Sequence, residues 1–146
     1  MRDKSKNVIL YLVKKLGGQI EGRKKLMKLM FLIEHFDLES KRIVRKKHTL
    51  GNRFFIYYYG VFSFDVMNSY DELFREKIIM DTYPLTIEQK VETRLEGELK
   101  RVIDGIVKEF GKYSGYNLEV ETLGMLGIEP SGKDQYFGKA IDEIRR

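Results

Sequence analysis

Residues 22–36 read GRKKLMKLMFLIEHF, and this stretch decides the fold more than any other part of the chain. On a helical wheel its apolar side chains form one broad stripe, made of Leu26, Met27, Leu29, Met30, Phe31, Leu32, Ile33 and Phe36. A helix that is apolar around most of its circumference is typical of the centre of a core. Lys24, Lys28 and His35 share a narrow remaining strip, which we expect to face water. The stretch therefore predicts a helix that supports the core rather than one that reads nucleic acid.

The composition predicts one globular domain, residues 1–146. Hydrophobic residues make up 42% of the chain and charged residues 34%, and this length is enough to bury a core without disulfides. The absence of cysteine excludes a disulfide framework, a thiolate metal site and a cysteine nucleophile. The longest apolar run, residues 29–33, is too short to span a bilayer, and the first twenty residues have an amphipathic pattern rather than that of a signal peptide. We expect a cytoplasmic protein without a membrane partner.

Charge is distributed unevenly along the chain. Residues 1–53 carry 15 Lys and Arg against 5 Asp and Glu, whereas residues 54–146 carry 12 against 17. This asymmetry allows an acidic partner for the first part of the chain, either a phosphate backbone or an acidic protein surface. It equally allows the two parts to attract each other within the fold, and the sequence leaves both interpretations open.

Apolar periodicity predicts several further elements. Helices are expected at 8–16, at 63–77 with Ser63 as N-cap, over a long span from 87 to 110, near 117–126, and at 134–145. The last of these is expected to bury apolar side chains, namely Phe137, Ala140, Ile141 and Ile144. A β-hairpin is expected from strands 43–48 and 53–59, the second covered on both faces, and a short strand at 78–80.

The hairpin region is strongly basic. Its six cations are Lys41, Arg42, Arg45, Lys46, Lys47 and Arg53. Cations beside aromatic residues can bind single-stranded nucleic acid through phosphate contacts and base stacking. Alternatively, the aromatic residues at 54–59 belong to the core and the cations protect an edge strand from aggregation. The cluster is therefore a candidate site for nucleic acid or an acidic partner.

Residues 7–86 resemble a known pattern. The segments GGQIEGRKKLMKLMFLIEHF and FFIYYYGVFSFDVMNSYDEL resemble the YwgA-type uncharacterised proteins and, more distantly, the Panacea (SocA-like) domain of antitoxins and proteolysis-related adaptors. The matching positions are Gly22, Arg23, Leu26, Lys28, Leu29, Leu32, Tyr59, Gly60 and Ser63. Phe31 stands where these families usually have tyrosine, and Val61 replaces their usual proline. The resemblance implies a regulatory or antitoxin-like adaptor that engages a protein partner.

The same order of elements resembles a winged helix over residues 1–86, with the hairpin inserted before the third helix and the helices of 87–146 packed on it. The predicted fold is thus α+β and mainly helical. In a DNA-reading winged helix the third helix enters the major groove. Here that helix carries four carboxylates, Asp65, Asp71, Glu72 and Glu76, against two cations. This balance disfavours groove reading.

Signatures of catalysis and metal binding are absent from the sequence. The run from Gly127 to Asp134 only approaches a phosphate-binding loop, because Asp134 replaces the hydroxyl residue and Pro130 removes an N–H. Glu34 and His35 occupy consecutive helical positions, which diverge rather than converge on a metal. We expect no catalytic residue, cofactor or metal. The predicted function is non-enzymatic binding of a protein partner, with DNA or RNA binding through residues 41–53 as the alternative; a homodimer stays open.

Overall fold

The computed structural model describes residues 3–45, 49–80, 84–87 and 93–144. Within these ranges the helices are α1 (Lys4–Lys15), α2 (Gly22–His35), α3 (Phe64–Arg75), α4 (Gly97–Phe110) and α5 (Gly115–Met125). The strands are β1 (Gln19–Ile20), β2 (Phe36–Asp37), β3 (Arg42–Ile43), β4 (Phe55–Tyr57), β5 (Gly60–Phe62), β6 (Ile79–Met80) and β7 (Leu85–Ile87). Two 3₁₀ helices follow, Pro130–Tyr136 and Ile141–Glu143. The predicted α+β, mainly helical class is confirmed.

Helix α2 is the centre of the core, as predicted. Every residue from 25 to 35 is buried, and the helix packs against α4, α5 and β5. The prediction that its polar strip faces water is wrong, because Lys28 is only 2% exposed and His35 only 3%. Strand β5 covers Lys28, and the chain after β3 covers His35, whose Nδ1 lies 3.0 Å from the carbonyl oxygen of Val44.

The N-terminal half contains a three-stranded antiparallel sheet in the order β1-β7-β6. Ile20 lies opposite Leu85, and Thr86 lies between Gln19 and Met80. Helix α3 is the predicted third helix, and its N-cap is Ser63, whose hydroxyl accepts the backbone N–H of Val66. The likeness to a winged helix stays a prediction.

The predicted pairing of 43–48 with 53–59 is wrong within the described residues. Strand β4 instead turns back directly on β5, with Ile56 opposite Val61 and Tyr57 opposite Gly60, while β3 pairs with β2. Gly60 has a φ of +91°, a conformation that L side chains rarely adopt, and this allows the chain to reverse after two tyrosines. The predicted residues 46–48 lie outside the described ranges.

Two predicted helices also differ from the structure. The helix expected from 87 to 110 is shorter in the structure, where α4 begins at Gly97. Ile87 pairs with Ile79 in the sheet and is not helical. Residues 88–92 lie outside the described ranges. The helix expected at 134–145 is instead a pair of 3₁₀ turns whose backbone bonds to β4. For example, the N–H of Ile56 donates to the carbonyl of Lys139 at 3.1 Å. Backbone groups at this strand edge need partners, and the segment supplies them.

Side-chain burial in this last segment follows the prediction only in part. Ile141 and Ile144 are buried as predicted, whereas Ala140 is half-buried and Phe137 is 38% exposed. The helix predicted near 117–126 corresponds to α5.

Candidate functional site

A pocket of about 410 Å³ lies between α2, the β4–β5 turn and α3. Its lining consists of Arg23, Lys24, Met27, Lys28, Tyr59, Phe62 and Met67. We call it the α2 pocket. Four of these residues come from the first two turns of α2, because positions 23, 24, 27 and 28 share one helical face. The pocket thus combines an apolar wall with three cationic side chains.

Lys28 is the buried cation of this pocket. Its Nζ donates a hydrogen bond to the carbonyl oxygen of Val61 at 2.9 Å. Burial lowers the pKa of Lys28 to about 7, and the positive charges of Lys24 and Lys133 act in the same direction, whereas Glu119 opposes them. Both the charged and the neutral amine are therefore populated near neutral pH.

Glu119 of α5 organises the other lysines around the pocket. Its Oε1 lies 2.6 Å from Nζ of Lys24, and its Oε2 lies 2.8 Å from Nζ of Lys133. Burial would raise the pKa of this carboxyl group, but the hydrogen bonds from the two lysines outweigh burial and lower it. The near-miss phosphate loop is thereby explained, since Lys133 is a partner of a buried carboxylate.

The polarity of α2 adds to this positive charge. Arg23, Lys24 and Lys25 lie in the first turn, where acidic side chains are absent. A helix N-terminus carries partial positive charge and normally favours anions, so cationic side chains there destabilise the helix. Lys25 is compensated by Glu21, at 2.8 Å, and by the carbonyl of Gly111, at 2.7 Å. The side chains of Arg23 and Lys24 line the α2 pocket.

Four of the nine positions that carry the family resemblance lie at this pocket. Arg23, Lys28 and Tyr59 line it, and Gly60 sits directly behind it, where an added Cβ would approach Cγ of Glu119 to 3.1 Å. The other matching positions act through the backbone or the core: Gly22 begins α2 with a φ of +91°, Ser63 caps α3, and Leu26, Leu29 and Leu32 are buried.

Sequence reasoning missed several members of this site. Lys24 and Lys28 were placed together on one strip of the predicted helix, but their spacing gave no sign that this strip lines a pocket. Glu119 and Lys133 gave no comparable signal, because they reach the pocket from distant parts of the chain.

The basic cluster predicted at 41–53 is divided between different surroundings. Arg45 and Arg53 line a small pocket of about 80 Å³ together with Asp142, whereas Lys41 forms an ion pair with Glu109 of α4. Arg42 lies opposite Asp37 in the β2–β3 pair. Lys46 and Lys47 lie outside the described residues.

Cations of the first part of the chain pair with carboxylates of the second part. The pairs include Lys6 with Glu72 and Glu76, Lys15 with Asp104, Lys24 with Glu119 and Lys41 with Glu109. Part of the charge asymmetry is therefore used by attraction within the fold, which includes Glu72 of α3 and Glu76 at the C-cap of that helix.

An exposed group of aromatic rings adjoins the α2 pocket. We call it the aromatic face, and it consists of Phe55, Tyr57, Tyr58, Phe62, Phe64 and Phe137. Phe64, the first residue of α3, is 57% exposed. Tyr58 is 58% exposed and Tyr59 is 68% exposed, so the prediction that the strand 53–59 is covered on both faces is wrong. Phe62 lies in both the aromatic face and the pocket wall, which makes the two surfaces continuous.

Comparisons with known proteins identify no relative: no family model, curated protein or solved structure matches the chain. In the part of the chain that the structure describes, no helix has the length and apolarity needed to cross a membrane. Across the same residues, no group of three or more acidic or histidine side chains could hold a metal ion. The resemblance to the YwgA-type and Panacea families stays a prediction.

Proposed function

We propose that this protein is a non-enzymatic regulatory or adaptor module of the cytoplasm that binds a protein partner at the α2 pocket. The observation that carries the proposal is the pocket itself, in which three cations surround an apolar wall and an exposed aromatic face continues the surface. Exposed aromatic and methionine side chains are enriched at protein interfaces. The resemblance to adaptor and antitoxin domains supports the same function, and four of its matching positions, Arg23, Lys28, Tyr59 and Gly60, lie at this pocket.

The test is a capture experiment with a matched pair of charge reversals. Tagged wild-type protein, Arg23→Glu and Lys100→Glu are incubated with lysate of the source organism, and bound proteins are identified by mass spectrometry. Arg23 lines the pocket, whereas Lys100 is an exposed residue of α4. We expect a partner that wild type and Lys100→Glu retain and Arg23→Glu loses. Recovery of no partner, or equal recovery with Arg23→Glu, would contradict the proposal.

Nucleic-acid binding is the second candidate function, and the exposed aromatic face favours it. Bases stack on exposed rings, and Arg45 and Arg53 lie together near the start of β4. Labelled single-stranded and duplex DNA and RNA should be titrated at about 50 and 200 mM salt, because counterion release makes phosphate binding steeply salt-dependent. Binding that Tyr58→Ala and Arg53→Glu both weaken would favour this function; no binding at the lower salt would exclude it.

A further inference from the structure

We infer that the α2 pocket is a recognition site for a carboxylate group that a partner peptide carries next to an apolar side chain. Arg23 and Lys24 attract the carboxylate, and the amine of Lys28 completes its binding site. The inference rests on the proposed function, because it specifies the chemistry of the partner segment at the same pocket. A free chain end and an internal acidic side chain offer the same chemistry.

The charge of the pocket lining favours a carboxylate. Among the described residues, the lining contributes three cations and no carboxylate. Glu119 lies behind the lining and is already shared by Lys24 and Lys133, so one negative charge serves two positive charges. The amine of Lys28 donates a hydrogen bond to the neutral carbonyl group of Val61. An incoming carboxylate would therefore meet a cationic lining at the N-terminal end of a helix.

The apolar wall of the pocket favours a ligand that carries an apolar side chain beside its charge. Met27, Met67 and Phe62 face the same cavity as the cations. Methionine side chains adapt to the shape of an apolar group, and about 410 Å³ falls within the usual range of ligand pockets. A ligand that carried charge alone would leave this wall in contact with water.

The apolar wall disfavours a nucleic-acid phosphate as the ligand of this pocket. A backbone phosphate has no apolar side chain beside its charge, so it would not cover Met27 and Met67. An acidic residue next to a leucine-like residue satisfies both halves of the pocket, since burial of the apolar group adds to the attraction between charges.

Lys28 gives the inference a readout that a purely structural lysine would not give. The charged and titratable groups that face it are Arg23 and Lys24 of α2, Tyr59 of the β4–β5 turn, Glu119 of α5 and Lys133 of the first 3₁₀ helix. A bound carboxylate adds a negative charge to this set and favours the protonated amine. Binding at a pH of about 8 should therefore take up a proton.

The experiment uses four short peptides and the intact protein. N-acetyl-glycyl-leucine is compared with its C-terminal amide, and N-acetyl-glutamyl-leucinamide with N-acetyl-glutaminyl-leucinamide. Binding is followed by chemical shifts of backbone amides and by calorimetry in two buffers of different ionisation enthalpy at a pH of about 8. We expect the carboxylate peptides to shift amides of 22–28 and 59–62, and their neutral counterparts to bind about tenfold more weakly. The two carboxylate peptides distinguish a chain end from an internal acidic residue.

Variants separate the pocket from the rest of the surface. Arg23→Gln and Lys28→Met should each weaken carboxylate binding about tenfold, which is roughly 1.4 kcal/mol, and Lys100→Gln should not change it. Lys28→Met should also remove the difference between the two buffers, whereas Lys28→Arg should restore part of the affinity.

Each contrary result is decisive. Equal binding of neutral and acidic peptides, or binding without proton uptake, would overturn the carboxylate site. If a captured partner depends on Arg23 while no carboxylate peptide binds, the inference fails and the proposed function stands. If the peptides bind the pocket but no protein partner is captured, the proposed function fails while the site for a carboxylate remains.

Discussion

Replacement of Lys28 by methionine should change how the stability of the protein depends on pH. Lys28 is 2% exposed, and burial holds its pKa at about 7, against an ordinary value of 10.5. Unfolding returns the amine to water, where it regains its ordinary pKa. Between these two values the unfolded chain therefore binds more protons than the folded protein. Stability must rise with pH in this window, since the burial penalty falls as the unfolded amine loses its proton.

The size of the effect follows from the two pKa values. Linkage gives a penalty of about 4 kcal/mol at pH 7 and of about 2 kcal/mol at pH 9, a gain of about 2 kcal/mol over two pH units. Methionine has a similar length and does not titrate, so Lys28→Met removes this pH dependence. It also removes the hydrogen bond to the carbonyl of Val61, which costs about 1–3 kcal/mol at every pH. The difference between variant and wild type should thus shift by about 2 kcal/mol against the variant from pH 7 to pH 9.

Urea unfolding followed by circular dichroism measures this difference directly. Wild type, Lys28→Met and Lys100→Met should be unfolded at several pH values between about 7 and 9. The exposed Lys100 is the matched control, and its variant should remain parallel to wild type. The window ends below the titration of Tyr11 and Lys6, whose pKa values are raised in the folded protein. Parallel curves for wild type and Lys28→Met would refute the assignment of a depressed pKa to this buried amine.

Three further substitutions test the local structure around the site. Glu34→Gln should lower the free energy of unfolding by about 3 kcal/mol, because the buried side chain of Glu34 accepts hydrogen bonds from the backbone N–H groups of residues 50–52. Hydrogen exchange should accelerate at these amides, and unchanged exchange would contradict this role. Ser63→Ala should lower the free energy of unfolding by about 1 kcal/mol through loss of the α3 cap, and a neutral result would show that the cap contributes little. Gly60→Ala should lower the free energy of unfolding by about 1–2 kcal/mol, since its φ of +91° and the 3.1 Å distance from an added Cβ to Cγ of Glu119 both oppose a side chain. A melting temperature equal to that of wild type would exclude this strain.

The central position of α2 was predictable from sequence, whereas the surroundings of its lysines were not. The width of the apolar stripe fixes how much of the helix is buried, and this follows from residues 22–36 alone. The remaining strip was expected to face water because lysine is rarely buried without a partner. Its partner is the backbone carbonyl of Val61, and a helical wheel carries no information about a strand 33 residues away.

The errors in the strands have a related physical cause. The aromatic run at 54–59 correctly predicted a strand. Strand pairing depends on the turn, however, and the predicted strand ended at residue 59, whereas Gly60 begins the strand that pairs with it. Likewise, Ile87 fits the helical spacing of the residues after it, yet it pairs with Ile79 because the sheet offers it a partner. Tertiary pairing overrode local periodicity in both cases.

Gly60 links the resemblance to the chemistry of the pocket. Because this residue has no Cβ, β5 can lie close to Cγ of Glu119, and the following carbonyl, that of Val61, comes within 2.9 Å of the Lys28 amine. Glu119 is shared by Lys24, at 2.6 Å, and Lys133, at 2.8 Å. Lys28 is instead buried against the neutral carbonyl oxygen of Val61. A core built only for stability would gain by exchanging Lys28 for an apolar residue. Its presence in the lining of the α2 pocket is the physical reason for our proposal that Lys28 takes part in binding.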